Sequence, residues 1–371
     1  MPQKPLFSQR NTRTIKKSDI KDFKRRKIRA LATIKKDRRR AEAFTTEMSK
    51  TRIPIFFATD DNYFKYLAVA LASIEKHASD EYIYDIKILA TGLSGENKIA
   101  AANLGFSHLA ISIVDVEAKM EKIRTNVTKR LRDYYSESIF YRIFIPHLFP
   151  RLEKAVYLDC DVVLNDDVAK LYFTDIGDKI LGAVADESIA HVPAFCEYVD
   201  KVIGSPEGVY FNSGVLLINA KKFREEKIEE KLLYLICEYN FHTVAPDQDY
   251  LNFLCKDKIH YFDIGWNKQP CERVNFDEKE IHLIHFNMFT KPWHYSGVKY
   301  ESYFWEAAKS TPYYEELLDM RESYGKEDRA RDIRGAKRLI ATSAGITRDK
   351  CSFCHIISSD IFDKIGCEVL V

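Results

Sequence analysis

From residue 53 onward, apolar runs of strand length recur along the chain, each closed by a polar cluster and most followed by a segment of helical period. The first is Ile53-Pro54-Ile55-Phe56-Phe57-Ala58-Thr59, after which Asp60-Asp61-Asn62-Tyr63 forms a turn. Residues 66–77 then place Leu67, Ala70, Leu71 and Ile74 at the spacing of a helix packed on a sheet. A second strand over 84–90, a helix over 96–104 and a third strand over 109–114 continue the alternation. This β-α-β-α-β order predicts a doubly wound α/β domain, Rossmann-like, with a mostly parallel central sheet flanked by helices. Ligands of such sheets collect at the carboxyl ends of the strands, and Asp60 and Asn62 lie at one such end.

The pattern sharpens at 155–164, Ala-Val-Tyr-Leu-Asp-Cys-Asp-Val-Val-Leu, an apolar strand that ends on Asp159 and Asp161. Side chains two apart in an extended chain leave on the same face, within about 7 Å, so two carboxylates there repel and resist burial. A hard divalent cation takes oxygen ligands and relieves both charges. A solvated turn after a strand is the alternative, and Asp247-Gln248-Asp249 repeats the spacing at a helix start, where Pro246 followed by acids is ordinary capping.

Upstream, 134–148 reads as a helix carrying Arg142. Downstream, a strand over 180–185 ends at Asp186, and 209–219 joins a polar kink, Asn212-Ser213-Gly214, to a buried strand. Gly214 there marks a bend or a close backbone approach. Residues 221–239 read as a helix, and Pro246 opens another over 250–254. A strand over 281–286 holds His282 and His285, with Lys291 just beyond. A histidine in an apolar strand is either a hydrogen-bonded core residue or a ligand, and the nearby lysine brings phosphate contact into view.

Composition narrows the class. With 46% apolar and 13% aromatic residues in 371, the chain buries a sizeable core. Its net charge of +2 is unevenly spread: residues 1–50 hold 17 Lys and Arg against 5 Asp and Glu, leaving 40 against 50 for the rest. A mildly acidic body excludes a general nucleic-acid-binding surface. The first fifty residues suit a solvated basic tail or an amphipathic helix on an anionic membrane. Eight cysteines at irregular spacing, without a secretion signal, are expected as reduced thiols in a cytoplasmic protein. No apolar run is long enough to span a bilayer.

Five stretches in one order carry a resemblance: Ala58 to Tyr63, Tyr157 to Asp161, Tyr210 to Asn219, Asp247 to Asp249 and His285 to Trp293. Together, over about residues 53–300, the chain resembles the family 8 glycosyltransferases. These are retaining enzymes of the GT-A fold that include bacterial lipopolysaccharide galactosyl- and glucosyltransferases and the glycogenins, and the bacterial branch is the nearer. The resemblance implies a divalent ion, Mn2+ with Mg2+ as the second choice, on Asp159, Asp161 and His285. It places Ala58, Asp60, Asn62, Tyr63 and Cys160 around a UDP-sugar donor, with Lys291 on the diphosphate. Arg142, Asp186, Asn212, Asp247 and Gln248 then line the sugar, with Gln248 facing the anomeric carbon and Asp247 as the carboxylate for any covalent step. Two positions depart from the family pattern. Met288 stands where many relatives have a small residue, and Tyr134-Tyr135-Ser136 where a histidine is common.

The implied activity is transfer of galactose or glucose from the UDP-sugar to a saccharide acceptor, in lipopolysaccharide or surface-glycan synthesis. A self-glycosylating primer protein and a non-catalytic UDP-sugar or membrane-binding protein are the rivals. The expected organisation is a basic tail over 1–52, a catalytic domain over 53–310 and a helical extension over 311–371. Basic termini would suit peripheral contact with the cytoplasmic membrane face. Cys351, Cys354, His355 and Cys367 offer spacing for a small zinc knot, against the plainer reading of an idle thiol cluster.

Overall fold

The computed structural model describes residues 50–121, 123–124, 136–205, 209–271 and 276–357. The described residues from Arg52 onward form one compact unit. The expected basic tail lies outside the described residues for all but its last three positions, as do Tyr134, Tyr135 and Cys367. No described helix is long and apolar enough to cross a membrane.

The first three strands alternate with helices as their pattern requires: β1 (Thr51–Ala58), α1 (Phe64–His77), β2 (Tyr82–Ala90), α2 (Gly95–Asn103) and β3 (Leu109–Asp115). Asp159 and Asp161 sit between β4 (Lys154–Leu158) and β5 (Val162–Leu164). After β6 (Leu181–Ala185) and β7 (Phe211–Asn219) come α3 (Ala220–Glu225), α4 (Ile228–Glu238) and α5 (Pro246–Cys255). The short strands β8 (Ile259–Tyr261) and β9 (Leu283–His285) precede the carboxyl-terminal helices α6 (Glu301–Ala308), α7 (Tyr314–Ser323) and α8 (Lys326–Ile346).

Seven strands form one sheet in the order β3-β2-β1-β4-β7-β6-β8, and β5 pairs with β9 in a separate ribbon. Parallel pairing joins β2 to β3, β1 to β4 and β6 to β8, whereas β7 runs against both neighbours. Apolar residues alternate between the two faces. Phe56, Tyr157, Leu216 and Ile218 belong to one core, and Ile55, Phe57, Val156, Leu158, Val215 and Leu217 to the other. Burial on both faces is why these strands read as unbroken apolar runs.

Two expected helices differ. The segment around Arg142 is a 3-10 helix over Glu137–Phe144 followed by a short α-turn, Ile145–Leu148, where Pro146 lacks the donor that a continuous α-helix would use. The helix expected over 221–239 is broken between α3 and α4, where Lys227 takes a left-handed φ of 53°.

Candidate functional site

The topology delivers the polar residues to one end of the sheet. β1 and β4 are parallel neighbours, Phe57 beside Leu158, so Asp60 and Asp159 both follow carboxyl ends. Because β7 is antiparallel, its beginning lies at that same end. Leu158 pairs with Val215, and the Asp159 amide donates to the Gly214 carbonyl at 2.8 Å. Ala185 pairs with Phe211, which brings Asp186 alongside. β5 continues from Asp161 and pairs Val162 with His285, carrying the histidine in from a distant part of the chain.

Asp159, Asp161 and His285 each offer a ligand atom, all within 4.8 Å of one another. His285 Nε2 lies 3.1 Å from Asp161 Oδ1 and 3.8 Å from Asp159 Oδ2. Lys291 Nζ donates to Asp161 Oδ2 and to the Phe286 carbonyl, both at 2.5 Å. Burial opposes charge on Asp161, but Lys291 and His285 outweigh it and hold the carboxyl well below the usual carboxylate range. Gly214 is the close approach its sequence context suggested. A β-carbon there would stand 2.3 Å from His285 Cε1 and 2.6 Å from Asp159 Oδ2.

Arg142 braces the floor. It donates from Nη2 to Asp159 Oδ1 at 2.9 Å, from Nη1 to the Ser213 carbonyl and hydroxyl, and from Nε to the Ile139 carbonyl. It also pairs with Asp247 Oδ2 at 3.1 Å and stacks over the Tyr157 ring. Burial pushes the Asp247 carboxyl up, with Arg142 working against the rise.

Gln248 is held at both ends of its amide, its Oε1 accepting from the Ser213 amide and its Nε2 donating to Asp186 Oδ2, each at 2.9 Å. Asn252, one turn along α5, closes a pair of 2.9 Å bonds with the amide and carbonyl of Phe211. Helix side chains at i and i+4 thus meet alternate residues of β7. Asp249 has the structural role that its helix-start position allowed. It is fully buried and accepts from the hydroxyls of Tyr198 and Tyr210 and the amides of Val244 and Ala245, while burial lifts its carboxyl to about 6.

A cavity of about 460 Å³ joins these groups, lined among others by Ala58, Tyr63, Arg142, Asp159, Cys160, Asp161, Asp186, Asn212, Asp247, Gln248, His285 and Lys291. Twelve residues singled out in the sequence therefore share one space. Asp60 and Asn62 do not line it; the Asp60 carboxylate accepts from the amides of Asn62 and Tyr63 and shapes the turn at its edge. Buried Cys160 points its thiol at the Ala58 carbonyl, 3.2 Å away, and burial raises its pKa well above the ordinary range.

Met288 lines the cavity with φ at +61° and 40% of its surface exposed, a backbone conformation that suits glycine. Ser188 and Asp332 also line the cavity, Asn267 bonds to His285 and Gln269 donates to Asp186, and no motif in the sequence marks these four. His282 is half-buried, stacked on Trp266 and paired with Asp166 at 2.8 Å, outside the group formed by Asp159, Asp161 and His285. Among the described residues Cys351, Cys354 and His355 gather into no metal-binding group, and no disulfide joins the seven described cysteines.

The model for glycosyl transferase family 8 matches residues 54–297. A Haemophilus influenzae protein described only as a candidate glycosyltransferase is 30% identical, over 66% of this chain and 71% of its own length. The lipopolysaccharide 1,2-glucosyltransferase of Escherichia coli K12 is 28% identical, over 54% of this chain and 59% of its own. Among solved structures, the galactosyltransferase LgtC, in complex with donor and acceptor sugar analogues, aligns with a TM-score of 0.58 and 30% identity, over 70% of this chain and 96% of that one.

Proposed function

Because the chain belongs to glycosyl transferase family 8 and is related to lipopolysaccharide enzymes, we propose that it is a retaining, divalent-metal-dependent hexosyltransferase. It moves galactose or glucose from a UDP-sugar to a saccharide acceptor in surface-glycan synthesis. The observation that carries this reading is the convergence of an acidic pair, an imidazole and a buried ammonium in one cavity with the fixed amide of Gln248.

The donor set fits the ion. Two carboxylates and an imidazole suit manganese better than calcium, with magnesium the second choice. Held by Asp159, Asp161 and His285, such an ion would supply Lewis-acid stabilisation of charge on a departing diphosphate.

The remaining work falls to the chain's own groups. Lys291 brings a buried positive charge to the diphosphate oxygens, with one donor left beyond those given to Asp161 and the Phe286 carbonyl. Tyr63 and Ala58, with the turn set by Asp60 and Asn62, bound the uridine and ribose. Asp186, Asn212 and Asp247 orient the hexose. Gln248 cannot turn without breaking its bonds to Ser213 and Asp186. A pinned amide that is neither a good nucleophile nor a base serves best as a fixed dipole whose oxygen steadies positive charge at the anomeric carbon. Asp247 is tied to Arg142 and Ser213, which favours a bracing role over attack. The acceptor hydroxyl then gives its proton to the departing phosphate oxygen.

Slow donor hydrolysis tests this without knowledge of the acceptor. UDP release from UDP-galactose or UDP-glucose is expected with Mn2+ and is expected to stop in excess chelator. Asp161→Ala should lower it about a hundredfold or more. Full activity in chelator, or in Asp161→Ala, would sink the reading.

A further inference from the structure

We propose that Asn267 is a positioning residue that decides which nitrogen of His285 faces Asp159 and Asp161, at the end of a relay of side-chain amides that begins on Asp186. Its consequence for metal binding rests on the reading above. The relay itself follows from donor and acceptor logic alone.

Carboxylate oxygens accept, so Asn212 Nδ2, 3.1 Å from Asp186 Oδ2, fixes the orientation of the Asn212 amide. Its oxygen then meets two donors, the Gly214 amide and Asn267 Nδ2, each at 3.0 Å. The Gly214 contact fixes the same orientation independently. With its NH2 group turned to Asn212, Asn267 presents Oδ1 to His285 Nδ1 at 2.9 Å. An amide oxygen only accepts, so Nδ1 carries a hydrogen. Nε2 is therefore the nitrogen that gives up its proton to a cation beside the two carboxylates.

Nε2 itself stands 3.1 Å from Asp161 Oδ1, so the tautomer that Asn267 selects is the one read when a cation takes the place of that contact. Asp186, Asn212, Asn267 and His285 are 5%, 6%, 1% and 2% exposed, so solvent has little access to reset any member. Asp186 Oδ2 also accepts from Gln248 Nε2 at 2.9 Å, so one carboxylate anchors both the sugar-facing amide and the metal-facing imidazole. Buried polar chains of this kind hold their members in one arrangement because each alternative leaves an unmatched donor or acceptor.

The test reads the ring directly. Two-bond nitrogen-15 to proton correlation spectra, assigned against His285→Gln, are recorded on the protein loaded with diamagnetic Zn2+, so that the contact of Nε2 with Asp161 is replaced by the ion. The retained proton is expected on Nδ1. Asn267→Leu, of similar size but with no acceptor, should move it to Nε2 and weaken Mn2+ binding about 10–100-fold, read from the electron paramagnetic resonance of free Mn2+. Asn267→Asp keeps an acceptor toward Nδ1 and should retain the wild-type ring.

A wild-type ring protonated on Nε2 would overturn the proposal. So would an Asn267→Leu protein that keeps both the Nδ1 proton and the Mn2+ affinity, or an Asn267→Asp protein that loses the Nδ1 proton. Failure of the metal reading looks different: the wild type then binds neither Mn2+ nor Zn2+, whereas failure of the relay leaves binding in place with no proton on Nδ1.

Discussion

At the residue scale the cavity contains polar groups with almost no freedom left. Gln248 is bonded at both ends of its amide and Arg142 at all three nitrogens. Gln248→Ala should therefore lower kcat for donor hydrolysis about a hundredfold while KM for the UDP-sugar stays within about twofold, as expected when an interaction counts mainly in the transition state. Gly214→Ala makes the opposite kind of test, because it adds atoms where His285 and Asp159 already stand. We expect it to weaken Mn2+ binding about tenfold or more by displacing the imidazole. Calorimetric titration with Mn2+ in the presence of UDP would show whether that approach is as tight as the geometry requires.

At the element scale, α4 is tied to the segment after the 3-10 helix by His147, which pairs with Glu229 at 2.7 Å and Glu230 at 3.3 Å. These carboxylates raise the imidazole from 6.5 to about 9, with burial pulling the other way. A histidine whose folded pKa exceeds its unfolded value contributes stability that is complete below about 6.5 and is lost as the pH rises through about 9. Chemical denaturation should accordingly show a loss on the order of 1–2 kcal/mol across that window, absent in His147→Gln. The pairing of α5 with β7 is a second such tie. Asn252→Ala leaves the Phe211 amide and carbonyl buried without partners and should cost about 2–4 kcal/mol in urea denaturation.

At the scale of the whole molecule, part of the cavity wall comes from beyond the matched residues 54–297, in Asp332 and Leu339 of α8. Asp332 is held there by the hydroxyls of Tyr295 and Tyr324, and Tyr324 stacks on His294 with ring centres 4.0 Å apart. Farther on, Phe353 is fully buried against Phe241, Tyr250 and Phe253, so the carboxyl-terminal segment backs the helix that presents Asp247 and Gln248. Phe353→Ala should cost about 3–5 kcal/mol. If the segment also sets the position of α5, the urea midpoint and the rate of donor hydrolysis will fall together in that variant.

The sequence by itself determined the alternation of strands and helices and the acids that follow strands, because unbroken apolar runs and the polar clusters closing them are local patterns. Most of the cavity lining was legible through the resemblance of five stretches to the family. The sequence also marked Gly214 as a bend or a close approach, and the fold chose the second by setting His285 and Asp159 where a side chain would stand. Only the tertiary structure decided which side chains are spent on one another. Asp247 and Asp249 share a helix start and a residue type, yet one faces the cavity and the other is locked to two tyrosines. Asn267 sits in no motif, and its bond to His285 exists because β9 returns beside the strand that follows Asp161. Hydrogen-bond partners far apart in the chain leave no period to read, so their choice belongs to the fold.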